Sequence, residues 1–199
     1  PPYVAIIGGA KVSDKIKEVI EKIKDSTDRM IMLVNNLLDL RRIEEGRMDY
    51  KFEETNIFKL VFDVIDGLKP LAQKKGLDLK FNSEPLENIL VKIDSQKFSQ
   101  AVQNLIENGI KYTEKGGIDI TIDKERDDST LITIADSGRG ISKELLPNLF
   151  EQYKRDESLA KQIEGTGLGL YIAKVIILAH KGKIWAESEG DGKGSKFFI

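Results

Sequence analysis

The residues best suited to chemistry lie on one predicted helix, over 95–111. Asn104, Asn108 and Lys111 are spaced at i, i+4 and i+7, so they share one face of that helix. Carboxamide oxygen is a hard ligand that suits magnesium, and a lysine ammonium neutralises phosphate charge. The pattern predicts a site for a metal ion and a polyphosphate, with Asn108 as the metal ligand. Taken alone, it also fits an ordinary solvated polar face.

A second candidate site is the segment 136–140, which directly follows a predicted apolar strand over 131–135. Asp136 at the strand end can accept a hydrogen bond from an exocyclic amino group such as that of adenine. Gly138 and Gly140 allow the backbone to approach a flat ligand closely. The segment predicts a base-binding turn, and a plain turn without a ligand is the alternative.

A third candidate is the segment 165–170, which opens a predicted helix over 167–179 with a glycine at every second position. Such a segment leaves backbone N–H groups able to hold phosphate oxygens, and the helix N-terminus adds a favourable dipole. It departs from a Rossmann loop, which follows the first strand of its domain. It also departs from a Walker loop, which ends in Gly-Lys-Ser/Thr.

The chain between the second and third segments is predicted to close over the ligand. The stretch 156–164 is polar with almost no apolar anchor, which is typical of a mobile lid. Phe150 is predicted to pack as its hinge, and Lys154 or Arg155 to face the phosphates. A loop without function is the alternative.

Composition limits the classes of function. The 199 residues, 40% of them apolar, suffice for one core and one appended element. A net charge of -2 favours neither nucleic acid nor an anionic membrane as a partner. The absence of cysteine fits a reducing compartment, so we expect a cytoplasmic location. Apolar runs are far shorter than the roughly 20 residues of a membrane helix, which predicts no membrane contact.

The elements that must position these segments begin with a long N-terminal helix ending at Gly46. Its seam positions repeat at alternating intervals of three and four residues and are interrupted only by Thr27 and Arg41; the apolar ones are Ile16, Ile20, Ile23, Met30, Val34 and Leu37. This heptad seam predicts pairing with a second copy of the chain. The alternative is an amphipathic helix lying on its own domain.

The remaining elements predict an α+β domain, described more broadly as α/β. Strands are expected over 48–54, 77–81, 89–93, 117–123, 131–135, 183–188 and 195–199. Asn56 is expected to cap a helix that contains Pro70 and could be kinked there. We expect a two-layer sandwich, with a mixed and mostly antiparallel sheet covered on one face by helices.

Taken together, the segments resemble the ATP-binding domain of sensor histidine kinases. Asn108, the segment 136–140, Phe150 and the segment 165–169 are similar to its N, G1, F and G2 boxes, in the same order. The gyrase and heat-shock-90 ATPases share the glycine boxes and the fold. The runs 111–113 and 179–185 resemble the kinases more closely, and 37–46 resembles the end of their second dimerisation helix.

The resemblance implies a function and a set of site residues. Kinases of this family transfer the γ-phosphoryl group of ATP to a histidine and then to an aspartate in a response regulator receiver domain. Asn108 would hold Mg²⁺, Asp136 would bind adenine, and Asn108 with Lys111 would serve catalysis. The implied nucleotide-binding residues are Asn104, Asn108, Lys111, Tyr112, Asp136, Gly138, Gly140, Ile141, Phe150, Arg155, Gly165, Thr166, Gly167, Leu168, Gly169 and Leu170.

The chain departs from that family in its N-terminal part. The acceptor motif, a histidine followed by an acidic residue and shortly by a proline, is missing, and the single histidine, His180, is predicted to be structural. Residues 1–16 resemble phosphoglycerate kinase, with Lys11 matching its site lysine, which suggests a fusion. The rival interpretation is the tail of a truncated first dimerisation helix.

The sequence therefore predicts three parts: a phosphoglycerate-kinase-like segment over 1–12, a dimerisation helix over 13–47 and an ATP-binding domain over 48–199. We expect the chain to be a fragment of a longer protein whose sensor lies upstream. A second hypothesis keeps the nucleotide site but makes the chain a non-catalytic assembly module.

Overall fold

The fold is described from a computed structural model, over residues 14–83, 89–125, 129–153 and 167–199. The segment 1–12, for which the sequence suggests either a fusion or a truncated helix, lies outside the described residues. None of the helices in the described ranges has the length and apolarity to span a membrane.

The first helix, α1 (Asp14–Glu44), runs for 31 residues. It ends as predicted at Gly46, whose φ of 64° is readily adopted only by glycine. Gly46 N–H donates to the Ile43 carbonyl (3.0 Å) and Arg47 N–H donates to the Arg42 carbonyl (2.8 Å), the hydrogen bonds of a Schellman motif. The end of the helix is therefore specified by local sequence.

Only the last turns of α1 lie on the domain. Asn36, Asp39 and Leu40 are buried, whereas the heptad seam stays exposed at Ile23 and Val34, at 60% and 54% respectively. The Asp39 carboxylate accepts hydrogen bonds from the Lys97 ammonium (3.0 Å) and the Gln100 amide (2.6 Å). Of the two predicted alternatives for this helix, packing on its own domain therefore holds for the C-terminal turns only.

Three further helices form one layer: α2 (Ile57–Lys74), α3 (Ser95–Tyr112) and α4 (Gly169–Ala179). Asn56 caps α2 as predicted, its side chain accepting from Lys59 N–H at 2.9 Å. The helix continues past Pro70 for another turn. Asp94 caps α3 in the same way, through Lys97 N–H at 2.9 Å.

The strands form two sheets. The main sheet has the order β2-β4-β5-β7-β6, in which only the β2–β4 pair is parallel. Strands β1 and β3 form a separate antiparallel pair. The bounds are β1 (Glu53–Asn56), β2 (Asp78–Phe81), β3 (Leu90–Ile93), β4 (Gly117–Lys124), β5 (Thr130–Asp136), β6 (Trp185–Glu187) and β7 (Ser195–Phe198).

The helices cover one face of the main sheet, so the predicted two-layer sandwich is confirmed. Alternate residues of the central strands are buried against the helices, as period-2 alternation requires. Examples are Ile118 and Ile120 on β4 and Ile134 on β5, which belong to the same core as Leu105 on α3 and Ile176 on α4. Asp119 and Asp123, on the opposite face, are exposed.

The predicted strand over 48–54 is wrong, because β1 starts at Glu53 and reaches Asn56. The preceding residues pack around the single histidine instead. The rings of Tyr50 and Phe52 lie 5.5 and 5.1 Å from that of His180. Lys51 N–H donates to the Asp94 carboxylate at 2.7 Å. These contacts with residues remote in sequence determine the path of the segment.

His180 is structural, as predicted. Its Nε2 accepts from Asp94 N–H (2.9 Å), so the proton of the neutral ring lies on Nδ1, which donates to the Ile176 carbonyl (2.7 Å). With both nitrogens engaged by backbone, the ring connects the C-terminus of α4 to the N-terminus of α3.

Candidate functional site

The centre of the candidate site is Asp136, the last residue of β5. Its carboxylate accepts from Gly138 N–H at 2.8 Å and from the Ser195 hydroxyl on the neighbouring strand β7. Burial raises the pKa of the Asp136 carboxyl, and the hydrogen bonds from Ser195 and Gly138 partly offset that rise. The carboxylate is thus held in a fixed orientation and is partly shielded from solvent.

Gly138 lies so close to its surroundings that no side chain fits there. A Cβ on Gly138 would lie 2.6 Å from the Tyr112 carbonyl oxygen and 2.7 Å from the Asp136 carboxylate. Gly140 has a φ of 75°, and a Cβ there would collide with the Gly190 carbonyl. Both glycines are therefore required by the close packing of this turn against the neighbouring backbone, and their predicted approach to a flat ligand stays a prediction.

A buried hydroxyl completes this part of the pocket. Thr113 is fully buried, and its hydroxyl has no hydrogen-bond partner among the described residues. A Cβ on Gly138 would lie 2.8 Å from that hydroxyl, which places Thr113 beside the Asp136 turn. Leaving a buried hydroxyl unpaired costs about 1–3 kcal/mol. The Thr113 hydroxyl is therefore a buried polar group beside the Asp136 turn that still requires a partner.

Helix α3 lies directly against this pocket. A Cβ on Gly109 would lie 3.3 Å from Ile118 and 3.6 Å from the Cβ of Asp136, so glycine allows the helix to approach β5. Asn108, one residue earlier on α3, is half-buried, and no described residue forms a hydrogen bond with its amide. The ammonium of Lys111 lies 4.8 Å above the ring of Tyr112.

Asn104 connects α3 to the third predicted segment. Its amide Nδ2 donates to the Gly169 carbonyl at 3.1 Å, so the amide group is already engaged within the protein. Helix α4 begins at Gly169, two residues later than predicted, and Leu168 offers no capping side chain. The start of α4 therefore lies beside the polar face of α3, in the arrangement in which helix N–H groups bind an anion.

The predicted hinge Phe150 packs against the core. It follows a short 3-10 turn (Leu146–Asn148), and its ring stands perpendicular to that of Phe197 at 6.3 Å. Further along, Tyr153 N–H donates to the Gly167 carbonyl at 3.2 Å. Tyr153 and Gly167 therefore lie side by side, although they are 14 residues apart in the chain.

The remaining predicted site residues divide into two groups. Ile141 and Leu168 are buried in the core, and Leu170 is half-buried against it. Lys154, Arg155, Gly165, Thr166 and the predicted lid over 156–164 lie outside the described residues.

Sequence reasoning missed Thr113 and Ser195. Ser195 pairs directly with Asp136 in the β5–β7 register, which only a model of strand pairing could have indicated. Thr113 is the C-cap residue of α3, and its burial depends on the turn of Gly138 above it. Thr113 belongs to the run 111–113 that resembles the kinases, but its local sequence does not indicate burial, and Ser195 carries no local signal.

The side chains available as metal ligands can be compared with those that the predicted Mg²⁺ ion requires. No cluster of three or more His, Cys, Asp or Glu suited to a metal occurs within the described ranges. Mg²⁺, however, keeps several waters and commonly binds through one or two protein oxygens together with substrate phosphates. A single carboxamide oxygen from Asn108 fits that mode, in which the metal arrives with the nucleotide.

Comparison with known proteins supports an ATP-binding function for this site. The family model of the histidine kinase-, DNA gyrase B-, and HSP90-like ATPases matches residues 93–199. Hybrid signal transduction histidine kinase L of Dictyostelium discoideum is 35% identical over 185 residues, which cover 89% of this chain and 11% of that protein. The chain spans between 9% and 28% of the length of four curated relatives that it matches.

Two solved structures share the fold. Full-length ShkA in complex with AMPPNP superposes with a TM-score of 0.76 at 24% identity, over 95% of this chain and 39% of that one. The histidine kinase ThkA in complex with the response regulator protein TrrA gives a TM-score of 0.65 at 24% identity, over 95% of this chain and 52% of that one.

Proposed function

The chain belongs to the histidine kinase-, DNA gyrase B-, and HSP90-like ATPases, as the ATP-binding catalytic region of a sensor histidine kinase, and from that premise we propose the reaction it performs. It transfers the γ-phosphoryl group of ATP to a histidine side chain other than His180. The observation that carries the proposal is the half-buried Asp136 side chain, which accepts from Gly138 N–H in a glycine turn and lies against α3 at Gly109.

The base-binding role falls to the Asp136 pocket. Asp136 accepts a hydrogen bond from the exocyclic amino group of adenine, and its orientation is set in advance by Gly138 and Ser195. The unpaired hydroxyl of Thr113 supports a bound water beside the base. Guanine carries a carbonyl where adenine carries the amino group, so this arrangement selects ATP over GTP.

The phosphate-binding role falls to α3 and the start of α4. Asn108 provides a carboxamide oxygen to Mg²⁺ bound with the phosphates, and Lys111 lies one turn further on the same face. Asn104 orients the start of α4 through its hydrogen bond to the Gly169 carbonyl and keeps its predicted role of assisting at the phosphates as part of this proposal. Lys154, Arg155, Gly165 and Thr166 keep their predicted roles at the lid as part of this proposal.

The phosphoryl acceptor must come from elsewhere. His180 is the single histidine among the 199 residues, and both of its ring nitrogens are engaged by backbone groups. A cleft of about 760 Å³ opens between α1 and α3 and is lined in part by Asn104, Glu107 and Leu38. This cleft leads from the long helix to the phosphate-binding face, so we place the approach of the acceptor histidine there.

The proposal is tested by supplying the acceptor in trans. The chain is incubated with labelled ATP, Mg²⁺ and a separate dimerisation-helix protein that bears the acceptor histidine of a homologous kinase. The expected product is acid-labile, base-stable phosphate on the added protein. Nucleotide binding without any transfer would instead support the second candidate, a non-catalytic assembly module.

Acidification is expected to weaken ATP binding through Asp136. Because burial holds the pKa of Asp136 above the ordinary aspartate value in the folded protein, the carboxylate takes up a proton at a higher pH than an exposed aspartate would. A bound adenine amino group stabilises the ionised form, so nucleotide must lower that pKa, and affinity must fall as the pH falls through it. A ¹³C carboxyl titration with and without nucleotide measures both shifts.

The same titration has a consequence for stability. A carboxyl group whose pKa is higher in the folded state than in the unfolded state stabilises the folded protein while the group is protonated. That stabilisation is lost as the pH rises through the pKa of the folded state. Relative to Asp136→Asn, the apo protein should therefore gain stability on acidification. A carboxyl pKa at or below that of an exposed aspartate would contradict both expectations.

We propose that α1 pairs two copies of the chain. Its seam residues are apolar, exposed and spaced as heptads, and Ile23 and Val34 are both more than half exposed. Such a stripe is stabilised when a second helix covers it. By the family resemblance, we also propose that the phosphorylated histidine passes its phosphoryl group to a response regulator receiver domain.

The double substitution Ile23→Lys, Val34→Lys is expected to abolish pairing. Burying unpaired ammonium groups in a helix seam should weaken dimerisation by at least about 100-fold. Sedimentation equilibrium would measure the change. Glu21→Lys, which adds a lysine off the seam, is the matched control and should remain a dimer. A dimer that persists in the double variant would exclude α1 as the interface.

A further inference from the structure

The side chain of Lys75, at the end of α2, forms hydrogen bonds with the C-terminal carbonyls of α3. Lys75 is the C-cap residue of α2, and its ammonium donates to the carbonyls of Ile110 and Lys111, both at 2.7 Å. These carbonyls belong to the last turn of α3, whose final four C=O groups have no partner within the helix. An ammonium there also interacts favourably with the helix dipole.

The other two terminal carbonyls of α3 are engaged as well. The Gly109 carbonyl accepts from Thr113 N–H at 3.1 Å, and the Tyr112 carbonyl accepts from Arg139 N–H at 3.3 Å. All four are therefore satisfied, two of them by a single side chain. Removing the Lys75 ammonium therefore removes the donor that two of these four carbonyls share.

The turn that Lys75 holds forms part of the nucleotide site. It carries Lys111 and is followed at once by Thr113, whose buried hydroxyl lies beside the base pocket. Through the Tyr112 carbonyl it also connects to Arg139, within the glycine turn that follows Asp136. A shift of this turn would change the spacing between the phosphate-binding face of α3 and the carboxylate that binds the base.

The positive charge of the Lys75 ammonium strengthens its hydrogen bonds to the two carbonyls. Burial lowers its pKa, an effect that the nearby Glu114 carboxylate opposes. Hydrogen bonds from a charged donor are about twice as strong as those between neutral groups. The partly desolvated ammonium therefore holds its two acceptors more firmly than a neutral donor would.

We propose that Lys75 is a positioning residue of the nucleotide site, which sets the affinity for ATP by fixing the last turn of α3 without touching the nucleotide. The inference rests on the proposed function, since it assumes that ATP binds between α3 and the Asp136 turn. In sequence, Lys75 stands in a Lys-Lys-Gly run that resembles any exposed helix end.

Lys75→Met tests the inference, with Lys75→Arg as the conservative variant and Lys69→Met as the matched control. Lys69 lies on the same helix and pairs with exposed Asp66 at 3.1 Å. Calorimetry with Mg-ATP, at a temperature where each variant is fully folded, should show about tenfold weaker binding for Lys75→Met. Lys75→Arg should restore most of the affinity, and Lys69→Met should bind like the unaltered protein.

Hydrogen exchange without nucleotide provides an independent measurement. The amides of Thr113 and Arg139, both bonded to the last turn of α3, should exchange faster in Lys75→Met and at the normal rate in Lys69→Met. A loss of stability with unchanged affinity, or unchanged exchange at both amides, would overturn the positioning role. If the unaltered protein bound no nucleotide, the proposed function would fail, and exchange would still decide whether Lys75 fixes the turn.

Discussion

Asp136→Asn should weaken ATP binding by about 100-fold, since a hydrogen bond to a charged acceptor contributes about 1.5–3 kcal/mol. The substitution keeps the shape of the side chain and removes its charge. One of its two oxygens becomes an NH₂ group, which must face either Gly138 N–H, the Ser195 hydroxyl or the adenine amino group. An NH₂ group that faces Gly138 N–H or the adenine amino group opposes two donors, and one that faces Ser195 loses the hydrogen bond that the hydroxyl donates. Calorimetry with Mg-ATP measures the loss.

Base selectivity makes this test specific. The unaltered protein should prefer ATP to GTP, and the preference should narrow in Asp136→Asn because the amide can present either a donor or an acceptor. Asp123→Asn, an exposed carboxylate on the adjacent strand β4, is the matched control and should leave both affinities unchanged. Equal ATP affinity in Asp136→Asn and the unaltered protein would remove Asp136 from the base pocket.

Asn108→Ala should lower the rate of phosphoryl transfer by about 100-fold or more, comparable to losing one preorganised group that stabilises transition-state charge. The half-buried amide on α3 is the proposed protein ligand of Mg²⁺, and the metal neutralises charge as the γ-phosphoryl group leaves. The rate of label transfer to the acceptor protein, followed at several Mg²⁺ concentrations, provides the measurement. The affinity for nucleotide without metal should change little.

The control for Asn108 lies on the same helix. Gln96→Ala removes an exposed amide in the first turn of α3, away from the cleft by which the acceptor approaches, so transfer should continue at the normal rate. Asn108→Asp restores an oxygen ligand and should recover part of the activity at high Mg²⁺. Transfer that is unaffected by Asn108→Ala would refute the metal assignment while leaving the base pocket intact.

Much of the site was predictable because its signals are local. The spacing of Asn104, Asn108 and Lys111 defines one helical face whatever the helix packs against. Gly46 and Asn56 mark helix ends through their own backbone and side-chain chemistry. The order of the glycine segments along the chain is sufficient by itself to indicate the family.

The predicted bounds of elements were wrong where contacts between residues distant in the chain outweigh the local sequence pattern. The alternation over 48–54 is typical of a strand, yet Tyr50 and Phe52 pack on the ring of His180, about 130 residues away in the chain. Helix α4 begins at Gly169 rather than at 167. Gly169 presents its carbonyl to Asn104 on α3, a partner that the local glycine pattern does not reveal.

The sequence by itself determined which residue types could bind a nucleotide, the helical face they share and the fold class, because periodicity and capping act over a few residues. The tertiary structure alone decided how that chemistry is held: Ser195 on the Asp136 carboxylate, the unpaired Thr113 hydroxyl and the Lys75 ammonium on the end of α3. Each of these depends on strands and helices that meet only after folding, when burial removes water from polar groups and leaves them dependent on partners far away in the chain.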